Sequence, residues 1–137
     1  MDEADVRRVM RSPISMIGSD GLPHDQHPHP RLWGTFPRVI GHYARDEGLF
    51  TMEKAIHKMT GLTARVFKLK DRGEIREGAY ADLVVFNPRT IKDRATYDAP
   101  MLPSAGIERV YVNGKLSFSS SGEGGKRAGR LIGGNSQ

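Results

Sequence analysis

Apolar residues at the start of the chain recur at the spacing of a helix and then form a continuous run. Over Asp2–Arg11, Val6 and Met10 fall on one stripe, and acidic residues precede basic ones, which suits the dipole of a helix. The next apolar run, Ile14–Gly18 (ISMIG), is bounded by proline and glycine. Such a run predicts a buried strand directly after the helix, an order typical of α/β proteins.

Two further stretches predict helices in the middle of the chain. Phe36–Asp46 carries apolar residues on one face. Thr51–Thr60 has another apolar stripe, with Thr51 as the expected N-cap and Gly61 as the expected C-cap. A short helix over Leu62–Phe67 is predicted to complete the helical part.

The pattern changes to that of strands in the second part of the chain. Leu83–Phe86 is a short apolar run that predicts a strand, and Asp82 before it is expected to hold the strand start or to pair with a nearby basic group. Further on, two β-rich runs flank Asn113 and Gly114. Both positions of a two-residue hairpin turn need positive φ, so this dipeptide predicts a β-hairpin.

These elements divide the chain into three parts. Residues 1–68 are predicted to be helical with one buried strand, residues 69–118 to be β, and residues 119–137 to be flexible because glycine and serine dominate there. A buried parallel strand needs neighbours on both sides, and no partner for Ile14–Gly18 is evident. The simplest interpretation is that the chain is the C-terminal piece of a larger fold.

Composition and charge narrow the classes of function. The 137 residues, 27% charged and 37% hydrophobic, suit one ordinary folded domain. The net charge of +5 comes partly from the glycine-rich tail, and elsewhere basic and acidic residues are mixed, so we expect no nucleic-acid partner. No transmembrane run or signal peptide is visible, and we expect no membrane partner and a cytoplasmic location. The absence of cysteine excludes disulfides and thiolate ligands.

The densest polar chemistry lies in the loop Ser19–Thr35, which contains Asp20, Arg31 and three histidines between stiffening prolines. Long ordered loops are uncommon unless they are functional. The spacing of the three histidines would permit them to act as metal ligands; they are His24, His27 and His29. By itself, the tripeptide Ser-Asp-Gly favours a polar turn that Asp20 braces. The alternative for Arg31 is a surface arginine that closes the proline-rich loop.

Several longer stretches resemble one family. The run IREGAYADLVVFNP and the hairpin VYVNGK resemble the C-terminal signature of the amidohydrolase superfamily. The runs MIGSDGLPHDQHPHPRLWGTFPRVIGHY and HKMTGLTARVFKLKDRG resemble the D-aminoacylases, or N-acyl-D-amino-acid deacylases. This resemblance implies the last strand and helices of a (β/α)8 metal-dependent hydrolase barrel, followed by C-terminal strands of a small β-sandwich domain. The fold class is then α/β, or α+β for the fragment by itself.

The resemblance also implies roles for two residues. Asp20 matches the family's catalytic aspartate at the end of the eighth barrel strand, where it would take a proton from a zinc-bound water and pass it to the leaving amide nitrogen. Arg31 matches the arginine that binds the carboxylate of the N-acyl-D-amino acid. The zinc ligands of the family lie in parts that this chain does not contain, and we expect His24, His27 and His29 to shape the loop instead.

The sequence is also compatible with two other classes of function. The chain by itself is expected to lack deacylase activity, so it could be an interaction module or one half of a split enzyme that pairs with an N-terminal barrel chain or with itself. Alternatively, it could be a small metal-binding protein that uses the histidine loop. The former predicts a partner that supplies the barrel, and the latter predicts stoichiometric zinc with three histidine ligands.

Overall fold

Helices precede strands along the chain in the computed structural model, which describes residues 2–22 and 24–132. The helices are α1 (Glu3–Arg11), α2 (Arg31–Arg38), which continues as a π-helix (Val39–Asp46), α3 (Met52–Met59) and α4 (Gly61–Val66). The strands are β1 (Leu83–Phe86), β2 (Ile107–Val112) and β3 (Lys115–Ser119). Helices followed by an antiparallel sheet make a small α+β chain.

The first helix forms as its sequence predicts. The side chain of Asp2 caps α1 by accepting a hydrogen bond from the Ala4 amide, at 3.4 Å. Met10 is buried and joins a core cluster with residues of the π-helix and α3. The buried members of this cluster are Met10, Val39, Tyr43, Ala44 and Ala55.

The second helix begins five residues before the predicted start at Phe36, so the predicted loop Ser19–Thr35 is shorter than expected. The sequence hides this start because Gly34 and Pro37, both poor helix formers, lie inside α2. Both are buried, which shows that packing overrides their low helix propensity. In the following π-helix, a Cβ on Gly41 would collide with the Ile91 carbonyl, so glycine is needed for this close approach.

The predicted buried strand Ile14–Gly18 is wrong for this chain. No strand forms over these residues, and the Ile14 side chain is 82% exposed. The backbone amide of Ile17 instead donates to the Lys58 carbonyl at 3.4 Å. A buried parallel strand needs neighbours on both sides, and within residues 2–22 and 24–132 the three strands lie elsewhere, in one antiparallel sheet.

The third helix agrees with its prediction at one end and differs at the other. Thr51 is the N-cap of α3, and its hydroxyl accepts from the Lys54 amide at 3.3 Å. Gly61 is not a C-cap, because α3 ends at Met59 and Gly61 is the first residue of α4. A Cβ at this glycine would lie 3.1 Å from His57 Nδ1, so the tight helix–helix corner explains the small residue.

The sheet has the order β1-β2-β3, with both pairs antiparallel. Asn113 and Gly114 connect β2 to β3 with φ of 47° and 76°, which confirms the predicted hairpin. Asp82 accepts the Asn113 amide at 2.8 Å and pairs with Arg72, so it fulfils both expected roles at the strand start. The tail lies beside β3, where the Gly125 amide donates to the Ser117 carbonyl at 3.0 Å.

Over the part of the chain that the structure describes, no helix has the length and apolar character that crossing a bilayer requires.

Candidate functional site

Asp20 lies at the tip of a tight turn packed against the start of α2. Its φ of 48° lies in the left-handed region, which aspartate adopts more readily than most non-glycine residues. The Gly21 amide donates to the Ser19 hydroxyl at 3.4 Å, which closes the turn. A Cβ on Gly21 would lie 2.9 Å from the Cα of Leu32, so glycine permits this packing. The turn presents a carboxylate that is 78% exposed.

Arg31, the first residue of α2, reaches this carboxylate. Its Nη2 lies 3.0 Å from Asp20 Oδ2, and the arginine side chain is 42% exposed. Exposed ion pairs contribute little to stability, about 0–1 kcal/mol. The structure therefore brings together the two residues that the sequence singled out, in a position where solvent and ligands can reach both.

The three histidines of the loop do not gather as metal ligands. His27 Nε2 lies 2.8 Å from the backbone carbonyl of Tyr97, and His29 Nε2 lies 3.0 Å from the Tyr97 hydroxyl. His24 is exposed. Across residues 2–22 and 24–132, no three histidine, aspartate or glutamate side chains are grouped so that they could hold a metal ion. The described residues therefore do not fit a zinc site of their own.

Tyr97 is a member of this loop cluster that the sequence did not reveal. It lies in the segment between β1 and β2, about 70 residues after the histidines, and its side chain is 70% exposed. It stands beside the His29 ring, edge to face, with ring centres 5.1 Å apart. No local motif marks it, because its role depends only on a long-range contact.

Lys58 on α3 is a second residue that the sequence did not single out. Its side chain is buried, with 6% of the residue exposed, and its ammonium donates to the Ser12 carbonyl and to the carbonyl and hydroxyl of Ser15, the latter two at 3.1 Å. Burial lowers the pKa of Lys58 below its ordinary value. These hydrogen bonds hold the segment between α1 and Asp20 against α3.

A further ion pair joins α1 to the end of the π-helix. Arg7 binds Glu47 through two hydrogen bonds of 2.9 and 2.7 Å, and His42 Nε2 lies 3.1 Å from the same carboxylate. The hydrogen bond from Arg7 lowers the pKa of Glu47. This pair lies on α1 and the π-helix, outside the Asp20–Arg31 turn, and we assign it a structural role.

Known proteins resemble the chain along nearly its whole length. The sequence profile of the amidohydrolase family matches residues 4–118. D-aminoacylase of Alcaligenes xylosoxydans xylosoxydans is 57% identical over 132 residues, which make up 96% of this chain and 27% of that protein. N-acyl-D-glutamate deacylase from the same organism is 55% identical over the same length. The chain thus spans about a quarter of the length of these relatives.

Solved structures agree in fold. A D-aminoacylase mutant in complex with copper chloride superposes with a TM-score of 0.93 and 56% identity, over 96% of this chain and 28% of that one. The N-acyl-D-glutamate deacylase of Bordetella bronchiseptica, solved with zinc and a phosphonate that mimics the tetrahedral intermediate of its reaction, gives a TM-score of 0.87 at 52% identity, over 92% of this chain and 27% of that one. The chain belongs to the amidohydrolase family.

Proposed function

We propose that this chain forms the C-terminal part of a zinc-dependent amidohydrolase that hydrolyses the amide bond of N-acyl-D-amino acids. The observation that carries the proposal is the 3.0 Å pair between Asp20 and Arg31, which stand eleven positions apart in the sequence. At one exposed position, it brings together the side chain that we propose as the proton acceptor and the cation that we propose binds the substrate carboxylate. The relatives named D-aminoacylase and N-acyl-D-glutamate deacylase support the substrate class.

In the proposed reaction, Arg31 holds the substrate and Asp20 moves the proton. The guanidinium offers two parallel N–H groups to the free carboxylate of the N-acyl-D-amino acid, which fixes the distance of the amide from Asp20. The Asp20 carboxylate accepts a proton from the water that adds to the amide carbon. It then gives this proton to the leaving nitrogen as the C–N bond breaks, which yields a carboxylate and a free D-amino acid.

The metal of this enzyme class would be held outside this chain. Because the described residues offer no group of three ligands, a zinc ion would need ligands from the larger part of the barrel, which the relatives contain and this chain does not. By this proposal the histidine loop is not a metal site. The chain contributes the proton-transfer carboxylate and the substrate anchor.

The proposal also assigns the parts of the chain. The segment Ile14–Gly18 would become the last strand of a (β/α)8 barrel once neighbouring strands lie beside it, and residues 1–68 would be barrel elements. Residues 69–118 would supply C-terminal strands of a small β-sandwich. The exposure of Ile14 (82%), Val84 (55%) and Val85 (42%) supports this assignment, because the described residues leave much of these apolar residues uncovered.

A graft into a complete enzyme tests the proposed activity. The chain would replace the matching quarter of the Alcaligenes D-aminoacylase, and release of free amino acid from N-acetyl-D- and N-acetyl-L-amino acids would be measured. We expect turnover of the D substrates, a loss on the order of 100-fold or more in kcat for Asp20→Asn, and a KM raised about tenfold for Arg31→Lys. Full kcat in a folded Asp20→Asn graft would disprove the catalytic assignment.

The surface area favours a second role, that of an assembly partner. The chain exposes 9937 Å², whereas a compact protein of 15.2 kDa would expose about 7,100 Å². Part of the excess comes from the exposed residues 119–132, and part from uncovered apolar side chains such as Ile14 and Ile75 (91% exposed). The uncovered apolar side chains fit an interface with another polypeptide segment.

We infer that the remainder of the barrel covers this surface, on the same or on a second polypeptide. Light scattering tests the alternative of self-association. A monomer that binds an amidohydrolase polypeptide lacking the matching quarter supports the inference. A stable homo-oligomer that does not bind this polypeptide would contradict the inference.

A further inference from the structure

His29 links the proposed substrate anchor to a distant loop through the two nitrogens of its ring. The backbone amide of Arg31 donates to His29 Nδ1 at 3.0 Å, and His29 Nε2 lies 3.0 Å from the Tyr97 hydroxyl. The first bond spans two positions of sequence and the second spans 68. One imidazole therefore bridges the start of α2 and the segment between β1 and β2.

The partners of His29 determine where its proton lies. A backbone N–H can only donate, so Nδ1 must be an unprotonated acceptor. In the neutral ring the proton is then on Nε2, from which it is donated to the oxygen of Tyr97. His27 holds the same tyrosine from the other side, because the Tyr97 carbonyl can only accept and His27 Nε2 must donate to it at 2.8 Å.

A simpler role for His29 would be to cap the helix. The first amides of a helix lack partners within it, and any nearby acceptor can satisfy one of them. Capping explains the bond to Arg31 but not the bond to Tyr97. The flanking Pro28 and Pro30 restrict the backbone around the ring, which suits a side chain that must meet two partners at once.

We propose that His29, with its proton on Nε2 and held by Tyr97, is a positioning residue for Arg31. This role rests on the proposed function of Arg31 as the anchor of the substrate carboxylate. The connection from Tyr97 through His29 to the Arg31 backbone sets where the guanidinium stands and keeps it within reach of Asp20. The histidine loop thereby serves the site without binding a metal.

NMR spectroscopy on the full 137-residue chain tests this proposal. Long-range proton–nitrogen correlations give the tautomer of His29, and the relaxation and exchange of the Arg31 Nη–H groups report the pairing of Arg31 Nη2 with Asp20. The variants are His29→Ala, His29→Asn and Tyr97→Phe. Asparagine can still accept the Arg31 amide as a cap but is too short to replace both bonds. We expect the Nε2–H tautomer, and exchange of the Arg31 Nη–H groups about fivefold to tenfold faster in all three variants, the factor expected when one of the bonds that position Arg31 is lost.

The controls separate positioning from capping. Asp20→Asn sets the value for an unpaired Arg31, and His57→Asn, on the exposed face of α3, should leave the Arg31 signal unchanged. A His29 proton on Nδ1 would overturn the proposal, as would His29→Asn and Tyr97→Phe variants that match the unmodified chain. These signals need neither substrate nor the rest of the barrel, so they are independent of whether the graft hydrolyses N-acyl-D-amino acids. In an active graft, His29→Asn should raise KM and preserve kcat.

Discussion

The ammonium nitrogen of Lys58 lies 3.1 Å from the backbone carbonyl oxygen of Ser15, and the same group donates to the Ser15 hydroxyl and the Ser12 carbonyl. A buried cation thus satisfies the backbone of a segment that has no strand partner among residues 2–22 and 24–132. Because this segment runs directly into the turn that carries Asp20, the lysine determines where the candidate site begins.

Replacement of Lys58 by methionine should destabilise the chain. Methionine fills similar space but leaves the Ser15 carbonyl without its donor, whereas the Ser12 carbonyl keeps the bonds from the Ser15 amide and hydroxyl. An unsatisfied carbonyl costs about 1–3 kcal/mol of the free energy of unfolding. Urea unfolding followed by circular dichroism would measure this loss. Lys54→Met is the matched control, because Lys54 is exposed on the same helix. Equal stability of the two variants would show that the lysine bonds contribute nothing.

The same lysine should make stability depend on alkaline pH. Burial lowers the pKa of Lys58 from 10.5, so over a window below that value the unfolded chain binds more protons than the folded one. The free energy of unfolding then rises with pH. Tyr43 acts in the opposite direction above pH 10, because burial raises its pKa from 10.0. Unfolding measured from neutral pH to pH 10 should show the rise, and Lys58→Met should abolish it.

Adding one carbon atom at Gly21, next to Asp20, should destabilise the folded chain. A Cβ at Gly21 would lie 2.9 Å from the Cα of Leu32, so Gly21→Ala forces the turn away from α2 and should cost about 1–3 kcal/mol. Gly18→Ala is the control, because nothing lies within 4 Å of a Cβ there. Thermal unfolding of both variants, with NMR shifts of Asp20 and Arg31, would check this. Identical melting temperatures would contradict the tight packing of the turn.

Sequence preferences correctly predicted the elements that form through interactions between residues close together in the chain. The Thr51 cap and the Asn113-Gly114 turn follow from side-chain and backbone preferences within a few residues. The start of α2 escaped prediction because Gly34 and Pro37 oppose a helix, and only burial against the rest of the chain reveals it.

The segment Ile14–Gly18 has the composition of a strand, but no strand forms there. By our proposal its partner strands belong to the larger part of the barrel. The candidate site shows the same division between local and long-range causes. The Asp20 and Arg31 assignments depended on the family resemblance, and the structure places the two side chains together at 3.0 Å. Tyr97 and Lys58 could not be singled out, because each matters only through contacts with residues more than 40 positions away.

The ion pair between Arg7 on α1 and Glu47 at the end of the π-helix predicts a loss of stability in acid. Arg7 lowers the pKa of Glu47 from its ordinary 4.5, so the folded state favours the ionised carboxylate. Its contribution is present above pH 4.5 and is lost as the pH falls through the lowered folded value. Glu47→Gln should remove this part of the pH dependence between pH 5 and the acid transition, whereas Glu77→Gln, at an exposed position, should retain it. Parallel pH profiles for Glu47→Gln and the unmodified chain would refute the coupling.

Zinc should bind weakly to this chain and leave its stability unchanged. His27 and His29 already use their Nε2 atoms on Tyr97, so a metal would have to break those bonds before it could recruit both rings. Equilibrium dialysis of tag-free protein should give well below one zinc per chain at micromolar free metal, and a chelator should not shift thermal unfolding. If zinc does bind stoichiometrically, Tyr97→Phe should tighten it, because the variant frees the His29 ring. Stoichiometric zinc that a His27→Ala/His29→Ala double variant abolishes would restore the histidine loop as a metal site and would contradict the role we assign to His29.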